Sequence, residues 1–470
     1  MAEQTTETPK KYDYIIIGAG ISGLLSTLML SKKGKKCLLI EKSNHLGGVC
    51  STKIVNGYCI DNGPHAITEL REGPLVTLLS KYANYSIKFV PHGNYYIRLK
   101  GKGEPYVMPV PNNLARFAGA HFLGKKDRLI MVKLIGEALT NKIVSPKKND
   151  GSVYEALVKN KLSSKAMVFA DTICYFLSGA SMKETPISRV IEGGGFAPNK
   201  KLKRNHLKKH RIIDRINTPF SSIMDLQNLF ANQSEARQGY PVGGLQTIVD
   251  AICCSFVRNN VDIIKQAEAG KIIVEGNSAV GISTNKGTFF ADKIIYSGFM
   301  NKLPELMDDG ILRKEYIENL LGLIPCKSYS LWLGMKPYKY FNYRGSEIWF
   351  EEKEPFWAMP VSNYDSLLAP KNRMLVGFTT IVKTNVEDTR KSLASTLEYI
   401  FPDIAKYVEM KYEQVEIPEK TAIRINTVLP KTKSPVENLY LVGTDTEKRS
   451  MGLTKAAYSV MNLEKELFND

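Results

Sequence analysis

Residues 13–17, DYIII, form an apolar β-branched run of the kind that fills a buried parallel strand, and they lead directly into Gly18-Ala19-Gly20-Ile21-Ser22-Gly23. The next segment, LLSTLMLSKKGK, places its apolar residues at helical spacing up to Gly34, and KKCLLIE then reads as a second short strand closing on Glu41. Strand, helix and strand in this succession predict a βαβ unit. Far downstream, NNVDIIKQAEAGKIIVEGNSAVGISTNKGTFFADKIIYS alternates apolar and polar positions across turn-rich breaks, which predicts an antiparallel β-meander.

Between these regions, 76–235 opens with short strands in YSIKFVPHGNYYIRL and turns helical from about 113. Its segment RFAGAHFLGKKDRLIMVKLIGEAL interleaves apolar residues with Lys125, Lys126, Arg128 and Lys133, the pattern of an amphipathic helix that packs on a core or faces a membrane. Residues 301–424 offer the strands SYSLWLGMK, EIWFEE, FWAMPVS and RMLVGFTTIV, then a helix from about 388 that stops near Pro402. Trp332, Trp349, Phe356 and Trp357 on these strands are core residues in the simplest view, and the lining of an apolar pocket in the alternative.

The 470 residues represent about three domains' worth of chain, which large α/β enzymes also wind into two interleaved domains. No run of eighteen apolar residues occurs, and MAEQTTETPKK lacks the basic and apolar regions of a secretory signal, so neither a spanning helix nor export is expected. Seven scattered cysteines, none in C-x-x-C, predict a reducing cytoplasmic setting without a disulfide framework, and six histidines in no ligand spacing give no metal site. The formal charge of +17 favours an acidic partner surface. Its densest patch, KKLKRNHLKKHR at 200–211, has no interleaved aromatics for base stacking, which argues against nucleic acid and for an anionic membrane face or a plain solvated loop.

The glycine motif carries the most chemistry. Gly18 permits a tight turn, Gly20 lets backbone approach a pyrophosphate, Gly23 allows close helix–strand packing, and the helix start at Ile21 and Ser22 presents its positive end to phosphates. Glu41 is spaced to accept hydrogen bonds from adenosine ribose hydroxyls. No second G-x-G-x-x-G follows a strand, so a separate NAD(P) domain is not expected.

After Glu41 come Lys42 and then Gly47-Gly48, followed by the strand-like YCIDNGPHAI. The arrangement resembles the FAD-dependent amine oxidase superfamily, which includes phytoene desaturases, carotenoid isomerases and protoporphyrinogen oxidases. The resemblance extends to YPVGGLQTIVDAI at 240–252 and to NLYLVGTDTEKRSMGLTKAAYSVMNLEKEL at 438–467, so that the matching blocks cover about a third of the chain. It implies an α/β fold with a Rossmann-type, glutathione-reductase-like FAD-binding domain (1–75, 236–300 and 425–470). An α+β substrate domain with an antiparallel sheet (76–235 and 301–424) interleaves with it.

By the same resemblance, Gly47 and Gly48 pass the pyrophosphate and ribityl chain, while Asp61, Gly63, Pro64 and His65 lie beside the flavin, with His65 the candidate catalytic residue. Val261 and Ile263 sit where family backbone meets the adenine. Gly443, Thr444, Asp445, Gly452 and Leu453 hold the ribityl chain and the pyrimidine edge of the ring, with Thr444 and Asp445 both open as the ribityl partner. Lys455, nearby in the last helix, reads as a solvated lysine. The family often carries Arg or Lys after the Gly-Gly pair; here Val49 stands there, so one phosphate contact is missing or supplied elsewhere. The implied function is a non-covalent FAD enzyme at the cytoplasmic face of a membrane, transferring hydride from an apolar isoprenoid lipid to flavin N5. Redox-neutral isomerisation or hydration, amine or protoporphyrinogen oxidation, and non-catalytic prenyl binding are the alternatives.

Overall fold

The apolar runs pair into two large sheets. In the computed structural model, which describes residues 11–63, 66–110, 119–144, 151–192, 238–351 and 354–468, the strands are β1 (Lys11–Ile17), β2 (Cys37–Glu41), β3 (Thr52–Val55), β4 (Tyr58–Asp61), β5 (Ile67–Thr68), β6 (Phe89–Pro91), β7 (Asn94–Leu99), β8 (Tyr106–Pro109) and β9 (Gln238–Pro241). They continue as β10 (Val261–Lys265), β11 (Ala269–Glu275), β12 (Ser278–Thr284), β13 (Gly287–Tyr296), β14 (Cys326–Met335), β15 (Gly345–Trp349), β16 (Phe356–Pro360), β17 (Met374–Ile381), β18 (Val408–Glu419) and β19 (Leu439–Leu441).

The first sheet runs β10-β2-β1-β13-β12-β11, with β19 added beside β13. Its centre is parallel: β1 lies between β2 and β13, and β19 continues the parallel set. The expected meander is corrected at its start, because only β11, β12 and β13 are antiparallel neighbours. Strand β10 pairs parallel with β2, where its Val-Asp-Ile-Ile extends an apolar edge.

The helix α1 (Ile21–Lys32) crosses between β1 and β2, and every residue from Ser22 to Ser31 is buried. Sheet lies on one side of it; the helices Pro74–Tyr82, Gln246–Cys253 and Gly452–Phe468 share its core on the other. Its buried hydroxyls are satisfied locally, Ser26 donating to the Ser22 carbonyl at 2.8 Å and Thr27 to the Gly23 carbonyl at 2.9 Å.

The second sheet runs β18-β14-β17-β16-β15-β7-β8. Trp332, Trp349 and Phe356 are fully buried in its cores, and Trp357 is nearly so. One face is closed by the helix Val386–Ile400, as the spacing predicts. Strands β7 and β15 are further joined by a buried ion pair between Arg98 and Glu347, which Tyr343 also reaches by hydrogen bond at 2.5 Å. Of the helical stretch expected from about 113, residues 111–118 lie outside the described residues and Lys125–Val144 is a helix, while YCIDNGPHAI divides into β4 and β5 around a bend at Asn62 and Gly63. The 200–211 patch, Pro64 and His65 lie outside the described residues.

Candidate active site

The carboxyl ends of β2, β1, β13 and β19 converge on one crevice, the place where open α/β sheets bind ligands. Gly18 turns the chain there at φ +97°, donating its N–H to the Ile40 carbonyl at 2.8 Å. At Gly23 an added Cβ would overlap the Gly18 carbonyl oxygen, so the helix can lie this close to the turn only with glycine. Gly20 differs: its φ of −67° and ψ of 173° suit any residue, yet a Cβ built on it meets no protein atom within 4 Å. It caps α1 without a side-chain hydrogen bond, and no acid occupies the first turn, so the helix N–H groups remain available to an anion.

A second glycine pair meets the first. Gly47 donates to the Ala19 carbonyl at 2.8 Å and bridges Gly20, with Gly47 and Gly48 at φ +108° and +60°. Lys42, Gly48 and Val49 are exposed on this loop. Glu41 accepts from the Ala19 N–H at 2.7 Å through Oε2 and from the Ser43 N–H at 2.9 Å through Oε1, which fixes the turn and holds the carboxylate at the crevice mouth.

The third element is the segment after β19. Asp445 is buried; its Oδ2 accepts from the Met300 N–H at 2.8 Å, while its Oδ1 has no partner, and burial raises its pKa. Ser297 Oγ, at the end of β13, is likewise buried without a partner. Thr444 Oγ1 accepts from the Lys420 N–H at 3.2 Å. Of the two residues left open by the sequence, Asp445 is therefore the one with a buried oxygen to offer. Gly443 donates its N–H to Ser459 of the closing helix at 3.1 Å.

Several expected positions also make framework contacts. Asp61 is buried, accepting from Thr52 Oγ1 at 2.5 Å, from the Leu245 N–H at 3.1 Å and from the Tyr240 hydroxyl, and burial pushes its pKa up to about 6. It thus ties the turn beyond β4 to the PVGG segment. Val261 lies level with Cys37 and Ile263 with Leu39 along β2; neither reaches the level of Glu41, where Lys265 stands, with the Ala267 N–H donating to the Glu41 carbonyl. The solvated reading of Lys455 is corrected. Its ammonium is buried against Glu419 at 3.1 Å, because Glu419 also takes the Gly452 N–H at 2.6 Å and so caps the closing helix from β18. Leu453 is buried beside it in the first turn.

Sequence reasoning missed residues that arrive from β18, from the bend after it and from the helix Ile187–Glu192. Gln414 on β18 accepts from the Gly63 N–H at 3.2 Å and donates to the Asp61 carbonyl at 3.0 Å. Arg189 donates to the carbonyls of Lys448 at 2.7 Å and Ser450 at 3.0 Å, setting the entry to the closing helix. Lys420 donates to the carbonyls of Ser297 and Gly298 at 2.6 and 2.7 Å. None belongs to a local motif; the signal in each case is only a polar residue placed near an expected block.

The arrangement fits an extended dinucleotide: two glycine turns in contact, an open approach at Gly20, and orphaned polar atoms on Ser297 and Asp445 further along the crevice. A family profile described as an NAD(P)-binding Rossmann-like domain matches residues 16–82. The chain is 42% identical over 72 residues to an all-trans-retinol 13,14-reductase of Rattus norvegicus, covering 15% of this chain and 12% of the reductase. Similarity to a 4,4'-diapophytoene desaturase (4,4'-diapolycopene-forming) of Methylomonas sp is broader, 22% over 334 residues, covering 68% of this chain and 60% of the desaturase. The chain thus spans less than two thirds of either relative. Among solved structures, an oxidoreductase from Methanosarcina mazei superposes with a TM-score of 0.75 at 22% identity, covering 96% of this chain and 99% of that one. With a Rossmann crevice at one end, an aromatic-rich antiparallel sheet at the other, and the three glycine blocks in order, the chain has a mixed α/β fold with an NAD(P)-binding Rossmann-like domain and is similar to the FAD-dependent amine oxidase and phytoene desaturase superfamily.

Proposed function

We propose that the protein is an FAD-dependent oxidoreductase of the phytoene-desaturase type acting on an apolar isoprenoid lipid. The observation that carries this is the breadth of the diapophytoene desaturase similarity, which at 68% of the chain extends well beyond a nucleotide motif. FAD is favoured over NAD(P) because the crevice continues past the first glycine turn to the Gly47-Gly48 pair and the Gly443–Asp445 segment, room that the second half of FAD would use. Gly18, Gly20 and the start of α1 would hold the pyrophosphate, Glu41 the adenosine ribose, and Asp445 the ribityl chain. When bound, FAD would supply hydride transfer at N5. The protein's part is to orient the lipid and exclude water. The contacts of Phe176 with Trp357 at 5.6 Å and with Tyr95 at 6.4 Å supply aromatic surface suited to that task.

The retinol reductase similarity favours a second reading, in which hydride passes the other way, onto an isoprenoid double bond. A visible spectrum of the purified protein, with mass spectrometry of its organic extract, tests both. A flavin spectrum with a prenyl lipid supports the proposal, and single-turnover reduction or oxidation of that lipid assigns direction. Absence of flavin, or a bound amine or porphyrin, overturns it. Non-covalent attachment predicts yellow colour in the supernatant after acid precipitation, since no Cys follows Cys326 and no His follows His210.

Peripheral attachment to an anionic cytoplasmic membrane face completes the proposal. Among the described residues no helix is long and apolar enough to cross a membrane. Gln substitution of the seven basic residues in 200–211 should reduce binding to acidic vesicles while leaving flavin content unchanged; equal vesicle binding would rule that patch out.

A further inference from the structure

Val49, directly after the Gly47-Gly48 pair, brings no cation to a diphosphate at the position where the resembling family often carries Arg or Lys. Lys420, from the far end of β18, comes to the same crevice. Its ammonium has three donors, of which two go to the Ser297 and Gly298 carbonyls. It forms no ion pair among the described residues, whereas Lys455, 35 positions later, is paired with Glu419. A Cβ added to Gly18 would lie 3.4 Å from the Ser297 carbonyl oxygen, and one added to Gly443 would lie 3.3 Å from Lys420 Nζ, so the ammonium sits between the two turns that face the ligand. The surrounding packing lowers its pKa, against the raising influence of Asp445 and Glu41. Neither acid neutralises it in contact: Glu41 is held by backbone N–H groups, and Asp445 by that of Met300. Lys420 as a residue is partly buried, and its ammonium also lies over the Phe299 ring at 5.5 Å.

We propose that Lys420 supplies the counter-charge for the dinucleotide's diphosphate, in place of a basic residue at position 49, with its two carbonyl contacts fixing the ammonium. The proposal rests on the dinucleotide reading above. The balance is ionic and no bond is made or broken.

The test uses the full chain freed of flavin, with ADP and adenosine as probes in calorimetry. Lys420→Met should weaken ADP about ten- to a hundredfold and leave adenosine within about twofold, since only ADP carries the diphosphate. Lys420→Arg should retain most of the ADP affinity, and Val49→Arg placed in the Lys420→Met background should restore part of it. Equal loss for ADP and adenosine would mean that Lys420 merely props the backbone, and would overturn the proposal; so would no loss for either. Should Lys420→Met fail to fold, Val49→Arg alone decides, because Val49 is 40% exposed and the change is tolerable there. With Lys420 already in place the new arginine should tighten ADP less than threefold, and a gain above tenfold would show that the site lacked its cation. A wild-type chain that binds neither ADP nor FAD defeats the dinucleotide reading itself, a result distinct from a wild type that binds ADP while Lys420→Met binds it equally well.

Discussion

The two large sheets reach order by opposite means. Around β1 and β2 the geometry is set by backbone: glycine turns, carbonyl contacts and a helix whose ten consecutive buried residues leave no face to solvent. Around β7 and β15 it is set by side chains from distant segments, above all the buried Arg98–Glu347 pair, with Arg98 stacked over Phe341 and Phe401 at 5.7 and 5.2 Å. Substitutions in the first region should therefore separate ligand binding from stability, while those in the second should lower stability first.

The largest effect is expected from Arg98→Met. Stripping the partner from buried Glu347 should cost about 3–5 kcal/mol in denaturant unfolding. Adding Glu347→Leu should recover much of it; a double variant no better than the single would mean that packing, not the uncompensated charge, dominates.

Gly20→Val should do the reverse. With no protein atom within 4 Å and an extended backbone that valine accepts, the fold should lose less than about 1 kcal/mol while FAD content falls nearly to zero. Gly23→Ala, which clashes with the Gly18 carbonyl, should lose stability and cofactor together. Equal melting temperatures for these two variants would erase the distinction drawn between the glycines.

Asp61 makes the glycine-turn region sensitive to pH. Its folded pKa is raised from 3.8 to about 6 by burial, so the native state binds the extra proton and this group's contribution to stability falls as pH climbs from about 4 to 6. Asp61→Asn should remove that slope, narrowing the stability gap between the two proteins by on the order of 2–3 kcal/mol between pH 4 and pH 7, read by urea unfolding at both. The smallest effect belongs to Lys165→Ala, which removes a surface pair with Glu351 and should change stability by less than about 1 kcal/mol.

What the sequence makes legible follows the same division. The βαβ unit is local: an apolar run, three glycines and an acid lie within one stretch of chain, and each constrains the next. Register is harder. The apolar residues of β10 fit equally well at the start of a meander or at the edge of a parallel sheet, and only pairing with Cys37–Glu41 decides. Burial at a helix start is harder still, since Lys455 resembles any helix lysine until Glu419 is brought beside it. Lys420 meets Ser297 across 123 positions of sequence, a distance over which residue spacing carries no information.

Glu419 is the last residue of β18 and Lys420 lies in the bend that follows it, one serving the closing helix and the other the glycine turns. Their division of labour is set by the position at which the strand stops and the chain bends. Inserting a single residue between the last β14 pairing, Cys326 with Glu419, and the Thr444 contact of Lys420 would leave the acid at the helix start and displace the lysine from the turns. The end of β18 is thus a point where the length of the chain, more than the identity of any one residue, is under constraint.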